Sequence, residues 1–330
     1  MKNTIGSRGN FLDSIINGSP EQVKKKKILI YAFIATAVAL IISLSVFLIT
    51  GMLSLKGEQP NTGVNNEQNS GASKNDISSY VETTFTEEQK NNGDLLLIDG
   101  SHLFKGSAKP VLIKNYRDLR PSTDEGKPIY SMTNMYTFGG TADAVSSLDA
   151  MLGDFYNTKK NDSVFIEKAY IDGGNNSGIY ASGLCFELTY VSIDDQGKSS
   201  HHSIYGADDY SWFYSNAYKY GFIQLYPVSS AAGADADTSM ANIFRYVGEA
   251  HAAHIYKNDL TLESYIELIK TKPAADALAI TAASGMKYRV YYVGEGAAQI
   301  VPSTYEYTVS GDNMGGYIVT VNTSKKITAA

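Results

Sequence analysis

The stretch YASGLCFEL, residues 180–188, sets a carboxylate two residues from the chain's single cysteine. Leu184, Phe186 and Leu188 alternate with Cys185 and Glu187. This is the spacing of a strand with large apolar side chains on one face and the thiol and carboxylate on the other. On a solvated face Glu187 needs no partner. On a covered face it needs a cation, a metal or water, because an isolated buried carboxylate is costly. The chain's five histidines widen the possible chemistry. His201 and His202 lie in a Gly/Ser-rich segment that can reach such a site, and they read as a solvated turn. His251 and His254 are three apart on a predicted helix and share a face, where packing or surface roles are expected. Cys185 reads as a small, inert core residue, and one cysteine excludes an internal disulfide.

Several elements must position these groups. Ala142, Val145, Leu148, Met151, Leu152 and Phe155 recur at helical spacing behind Thr141, a good N-cap. Val164–Ile166, residues 183–191, Phe222–Tyr226 and Phe244–Val247 read as strands. Residues 207–220 read as a helix stopped by Gly221, with Trp212 and its neighbouring tyrosines packed on a sheet. Two more helices are expected over 249–257 and 262–270, the second capped by Thr261. After Pro273, the runs 286–293, 298–301, 304–310 and 316–322 are β-rich, with turn residues between them. The expected class is α+β: a small, mainly antiparallel sheet with packed helices, a β-rich C-terminal unit and one N-terminal transmembrane helix.

That helix is the strongest signal in the chain. No residue from Ile28 to Leu55 is charged, and Lys24–Lys27 directly precede the run. The length suffices to span a bilayer, and flanking lysines mark the cytoplasmic side. The expected organisation is a cytoplasmic stub (1–27), a transmembrane helix (28–53), a flexible polar linker (54–92), a folded domain (93–272) and a small β-rich domain (273–330). The expected location is the cell membrane, single-pass, with most of the chain outside. Formal net charge is −6, with 34 acidic and 28 basic residues. No basic stripe suggests nucleic-acid binding.

Three segments, in register, resemble the D-alanyl-D-alanine carboxypeptidases of the VanY type, zinc enzymes that trim peptidoglycan stem peptides. GDLLLIDGSHLF (93–104) is similar to the family's opening strand and turn. WFYSNAYKYGFIQLYP (212–227) is similar to W-L-x-x-N-A-x-x-Y-G-F-I-x-x-Y-P. FRYVGEAHAAHIYKNDLTLESYIELI (244–269) is similar to the closing run that begins F-R-Y-V-G. The resemblance covers roughly residues 93–270 and implies a zinc site. There S-x-H-x-x-G-x-A-x-D supplies a histidine and an aspartate, and E-x-W-H supplies a glutamate base and a second histidine. Three protein ligands leave an open position for an acidified water, and the carboxylate handles its proton.

Aligned to those motifs, Gly183 keeps the glycine, while Gly178 stands at the serine and Cys185 at the small alanine. Tyr180 stands at the first histidine, Glu187 at the aspartate, Met240 at the glutamate, Asn242 at the tryptophan and Ile243 at the second histidine. The family's substrate-holding arginine aligns with Ile171. Glu187 is then the one remaining ligand of the set, and no cofactor is expected. The resemblance implies a pseudoenzyme that binds peptidoglycan stem peptide or an envelope protein. Two alternatives are an active carboxypeptidase with a rearranged ligand set, and a structural scaffold with a filled cleft. Arg245 is expected to pair with Glu187 and satisfy it without zinc.

Overall fold

The computed structural model describes residues 75–106, 110–113, 122–123, 126–134, 137–174, 176–228 and 237–327. The stub, the apolar run 28–53 and the linker up to residue 74 lie outside these. No helix among the described residues is long and apolar enough to cross a membrane. Gly71–Ala330 make one compact unit. It is α+β, with several short sheets and a few helices.

In chain order, β1 (Tyr80–Glu82) and α1 (Glu87–Lys90) come first. The region 54–92 was expected to be a flexible linker throughout, so its second half departs from that expectation. Two anchors explain this. Phe85 is buried and its ring centroid lies 5.0 Å from that of Tyr317. Thr86 and Gln89 form a capping box that starts α1. β2 (Val111–Leu112), β3 (Tyr130–Met132) and β4 (Phe138–Gly140) follow. α2 (Ala142–Lys159) is capped by Thr141 as expected. β5 (Val164–Lys168), β6 (Tyr170–Ile171), β7 (Cys185–Ile193) and β8 (Ser199–Ser203) come next.

The helix expected over 207–220 is shorter. It is α3 (Ser211–Asn216) continued by a 3₁₀ turn at Ala217–Tyr220. β9 (Phe222–Gln224) and β10 (Ile243–Tyr246) precede α4 (Glu249–Lys257) and α5 (Leu262–Lys270), which match the expected spans. β11 (Leu278–Thr281), β12 (Lys287–Val293), β13 (Ile300–Pro302), β14 (Tyr305–Gly311) and β15 (Tyr317–Lys326) end the chain.

The central sheet has the order β3-β5-β7-β10-β9, with β8 on the outer half of β7. Only β3 and β5 pair in parallel among the described strands. Phe186, Leu188, Phe222 and Phe244 share a core with Leu148, Met151 and Phe155 of α2. A second core joins Ile223 and Val247 to α4, α5 and the four-stranded sheet β11-β12-β15-β14. The C-terminal strands therefore share a core with the rest of the unit. They also grip the segment at 94–104. Leu97 donates to the Asp312 carbonyl at 3.1 Å, and the Asn313 amide donates to the carbonyls of Leu97 and Leu103. Leu95–Ile98 are buried but form no strand of their own.

His251 ties the layers together. It is buried, with Nδ1 2.7 Å from the Tyr265 hydroxyl on α5 and Nε2 3.0 Å from Thr320 Oγ1 on β15. Burial, and then His254, push its pKa down to about 3. The unfolded chain protonates this imidazole near its ordinary pKa of about 6.5 while the folded chain does not, so its contribution is present above that pH and lost as pH falls toward 3. Between pH 7 and pH 5 this one group is expected to remove about 2 kcal/mol of stability. Denaturant titrations of the natural chain and His251→Gln at both pH values check this. An equal loss in both would reject it.

Candidate functional site

The motif glycine sets up the site. After the 3₁₀ turn Gly178–Ser182 the chain must reverse tightly into β7, and Gly183 does so at φ +71°. A Cβ there would lie 2.9 Å from Pro110 Cγ and 3.2 Å from Gly140 Cα, so the position suits glycine on both conformation and space. The turn holds Tyr180 above the start of β7. Its hydroxyl donates to Glu187 Oε2 at 3.0 Å. Burial first, then the Glu187 charge, push the Tyr180 pKa well above its ordinary value, so the hydroxyl stays a neutral donor.

The second partner of Glu187 comes from a β-bulge. Pairing of β5 with β7 runs Ile166↔Leu188 and then jumps to Lys168↔Glu187. The inserted residue lets two successive side chains, Glu167 and Lys168, reach the same face. Lys168 Nζ lies 2.9 Å from Glu187 Oε2. Glu167 accepts from Thr189 at 3.4 Å and lies 2.7 Å from His201 Nδ1. His201 and His202 therefore sit on a strand, β8, and not in a turn. His202 Nε2 is 2.8 Å from Ser192 Oγ.

On the other side of Glu187 stands Ile243, its direct cross-strand partner in β10, only 2% exposed. Tyr180, Glu187 and Ile243 are thus brought together as their alignment implied. Met240 is not part of this cluster: it lies in the turn before β10 and is 42% exposed. Ile171 is on β6, 40% exposed, with its backbone held at both ends by the Asn176 side chain.

Arg245 does not pair with Glu187. Its register partner is Cys185, one step further along the same face. The guanidinium is fully buried, and Nη2 donates to the carbonyls of Leu96 at 2.8 Å and Asp94 at 3.3 Å. Its Nε and Nη1 have no acceptor among the described residues. Cys185 beside it is fully buried, and burial raises its thiol pKa, which fits an inert thiol.

These side chains do not fit a catalytic zinc. Ile243 offers no donor atom, and Tyr180 spends its proton on Glu187. Glu187 Oε2 already holds an ammonium and a hydroxyl. Among the described residues no three His, Cys, Asp or Glu side chains converge to hold an ion. What the cluster can do is hold a carboxylate charge against a lysine. Lys168 is well exposed, so the pair itself contributes little stability, of order 1 kcal/mol or less. Lys168 and the bulge were not legible in the sequence. A strand read at Val164–Ile166 stops before both, and only the register of β5 against β7 exposes them.

No family model matches the chain. It is 28% identical over 272 residues to a D-alanyl-D-alanine carboxypeptidase of Enterococcus faecium, covering 77% of this chain and 82% of that protein. It is 36% identical over 91 residues to YodJ of Bacillus subtilis (strain 168), which is named as a carboxypeptidase, covering 28% of this chain and 32% of that one. The fold is similar to the vancomycin resistance D,D-dipeptidase VanXYg, solved in complex with a D-Ala-D-Ala phosphinate analog. That match has a TM-score of 0.52 at 18% identity and covers 74% of this chain and 97% of that one. With the motif segments in register over the same region, the chain is similar to the D-alanyl-D-alanine carboxypeptidases of the VanY type.

Proposed function

We propose that this protein is a membrane-anchored pseudoenzyme of the cell envelope, which binds peptidoglycan stem peptide through the family's cleft and does not hydrolyse it. The observation that carries this reading is the replacement of a zinc set by Tyr180–Glu187–Lys168, with Ile243 packed against it. A hydroxyl and an ammonium on Glu187 neutralise the carboxylate without a metal, so the face stays folded while hydrolysis loses its cofactor. The E. faecium carboxypeptidase and the dipeptidase complexed with a D-Ala-D-Ala analog support the ligand class. The uncharged run after Lys24–Lys27 supports an anchor at 28–53 with the described unit outside.

The test uses the full chain in detergent and a synthetic pentapeptide ending in D-Ala-D-Ala. The expected result is saturable binding with no D-alanine released, with or without added zinc. D-alanine release at a rate comparable to active relatives would overturn the reading. Absence of any binding would favour a scaffold with a closed cleft, for which buried Ile243 is the supporting feature.

A further inference from the structure

A cavity of about 870 Å3 lies at the far end of β10 from Glu187. None of Lys168, Tyr180, Glu187 and Ile243 lines it, so the cavity is distinct from the site above. Its walls bring together Asp94, Asp143 on the first turn of α2, Glu249 at the start of α4, Tyr246 at the end of β10, and Tyr288 and Tyr307 from the C-terminal sheet. Burial first, then Asp94, with Asp143 and Glu249 adding, hold the Tyr246 hydroxyl up at about 12. Asp94, Asp143 and Glu249 all line the cavity, and Glu249 accepts from the Tyr288 hydroxyl. Asp94 is pushed up to about 6 by burial and by Asp143, and the Arg245 guanidinium works the other way.

Two lysines also line the cavity, but both are engaged. Lys219 donates to Asn216 Oδ1 at 2.7 Å, and Lys325 lies 3.8 Å from Glu306. The carboxylates are set around a space of organic-ligand size and do not converge as ligands of a metal ion do. Tyrosine rings in the wall suit a cation carried on a carbon skeleton, since ring faces attract positive charge and stems pack on them. We propose that this cavity binds an organic ligand bearing a primary ammonium group, seated between Asp94 and Asp143 with its carbon skeleton against Tyr246 and Tyr307. The proposal involves neither Glu187 nor stem-peptide binding, and it stands or falls without them.

The experiment is calorimetric titration of the full chain in detergent with lysyl-lysine amide, and with the same dipeptide acetylated on every amine. The free amine is expected to bind saturably, one per chain, and the acetylated form at least tenfold more weakly. Asp94→Asn/Asp143→Asn is expected to weaken binding at least tenfold. Asp208→Asn, a carboxylate outside the cavity, should leave it unchanged and controls for attraction to the chain's net charge. Thermal melting shows whether the double variant is folded; if it is not, Tyr307→Ala on the exposed wall replaces it, with a several-fold loss expected. Equal binding of both dipeptides, binding of neither, or equal losses in Asp208→Asn and the cavity variants would overturn the proposal.

Discussion

Four substitutions, Tyr180→His, Glu187→Asp, Ile243→His and Lys168→Met, are expected to yield a chain that keeps about one zinc ion through dialysis, where the natural sequence keeps none. The scaffold for this is present. Positions 187 and 243 are direct cross-strand partners, which places their Cβ atoms about 4.5–5.5 Å apart. The Tyr180 hydroxyl already reaches Glu187 at 3.0 Å. Imidazoles at 180 and 243 and a carboxylate at 187 would give three ligands and leave a position open. Lys168 must go as well, because its ammonium sits on Glu187 Oε2 and would repel the ion. Zinc content after dialysis is the readout. A natural chain that retains stoichiometric zinc would sink this prediction and the proposed loss of hydrolysis together.

Arg245→Ala is expected to destabilise the unit by about 3–5 kcal/mol. It empties the volume of the largest fully buried side chain and strips the carbonyls of Leu96 and Asp94 of their donor. Arg245→Met should cost clearly less, about 1–2 kcal/mol. It keeps most of the volume and removes a buried charge whose Nε and Nη1 have no acceptor among the described residues. Because Arg245 and Glu187 make no ion pair, the effects of Arg245→Ala and Glu187→Gln should add to within about 0.5 kcal/mol. Denaturant unfolding of the two single variants and the double variant measures this. A coupling well above that value would restore the ion pair expected from the sequence.

Elements with a sustained apolar stripe were legible in the sequence, two of them also by their threonine caps. Thr141 and α2, Thr261 and α5, and the span of α4 all stand where periodicity placed them. The alternation around Cys185 and Glu187 gave β7, and Tyr180 and Ile243, two of the positions aligned to the motifs, lie beside Glu187. Long-range pairing was not legible. β1 is a three-residue strand in a polar segment that exists because β13, more than 200 residues later, accepts it. Lys168 reaches Glu187 through a bulge, which local spacing cannot reveal. Arg245 was assigned the nearest carboxylate by charge, but its neighbours are backbone carbonyls of a segment about 150 residues earlier. His201 and His202, in a run that looked like turn composition, are held in a strand by pairing with β7.

The pairing of β1 with β13 bears on how the unit would respond to being pulled. The first described residue, Asn75, donates to the carbonyls of Ala275 at 2.9 Å and Ala274 at 3.1 Å, and Tyr80–Glu82 follow, held by three paired residues against Pro302, Val301 and Ile300. Tension applied to the N-terminal side of the described residues reaches the Asn75 bonds, this short ladder and then the Phe85–Tyr317 ring contact before it reaches either large core. The Asn75 bonds and the ladder would peel first, at low force, releasing a few residues while the Glu187 face and the tyrosine-walled cavity keep their shape. The first strand is in effect a sacrificial link in series with the rest of the molecule.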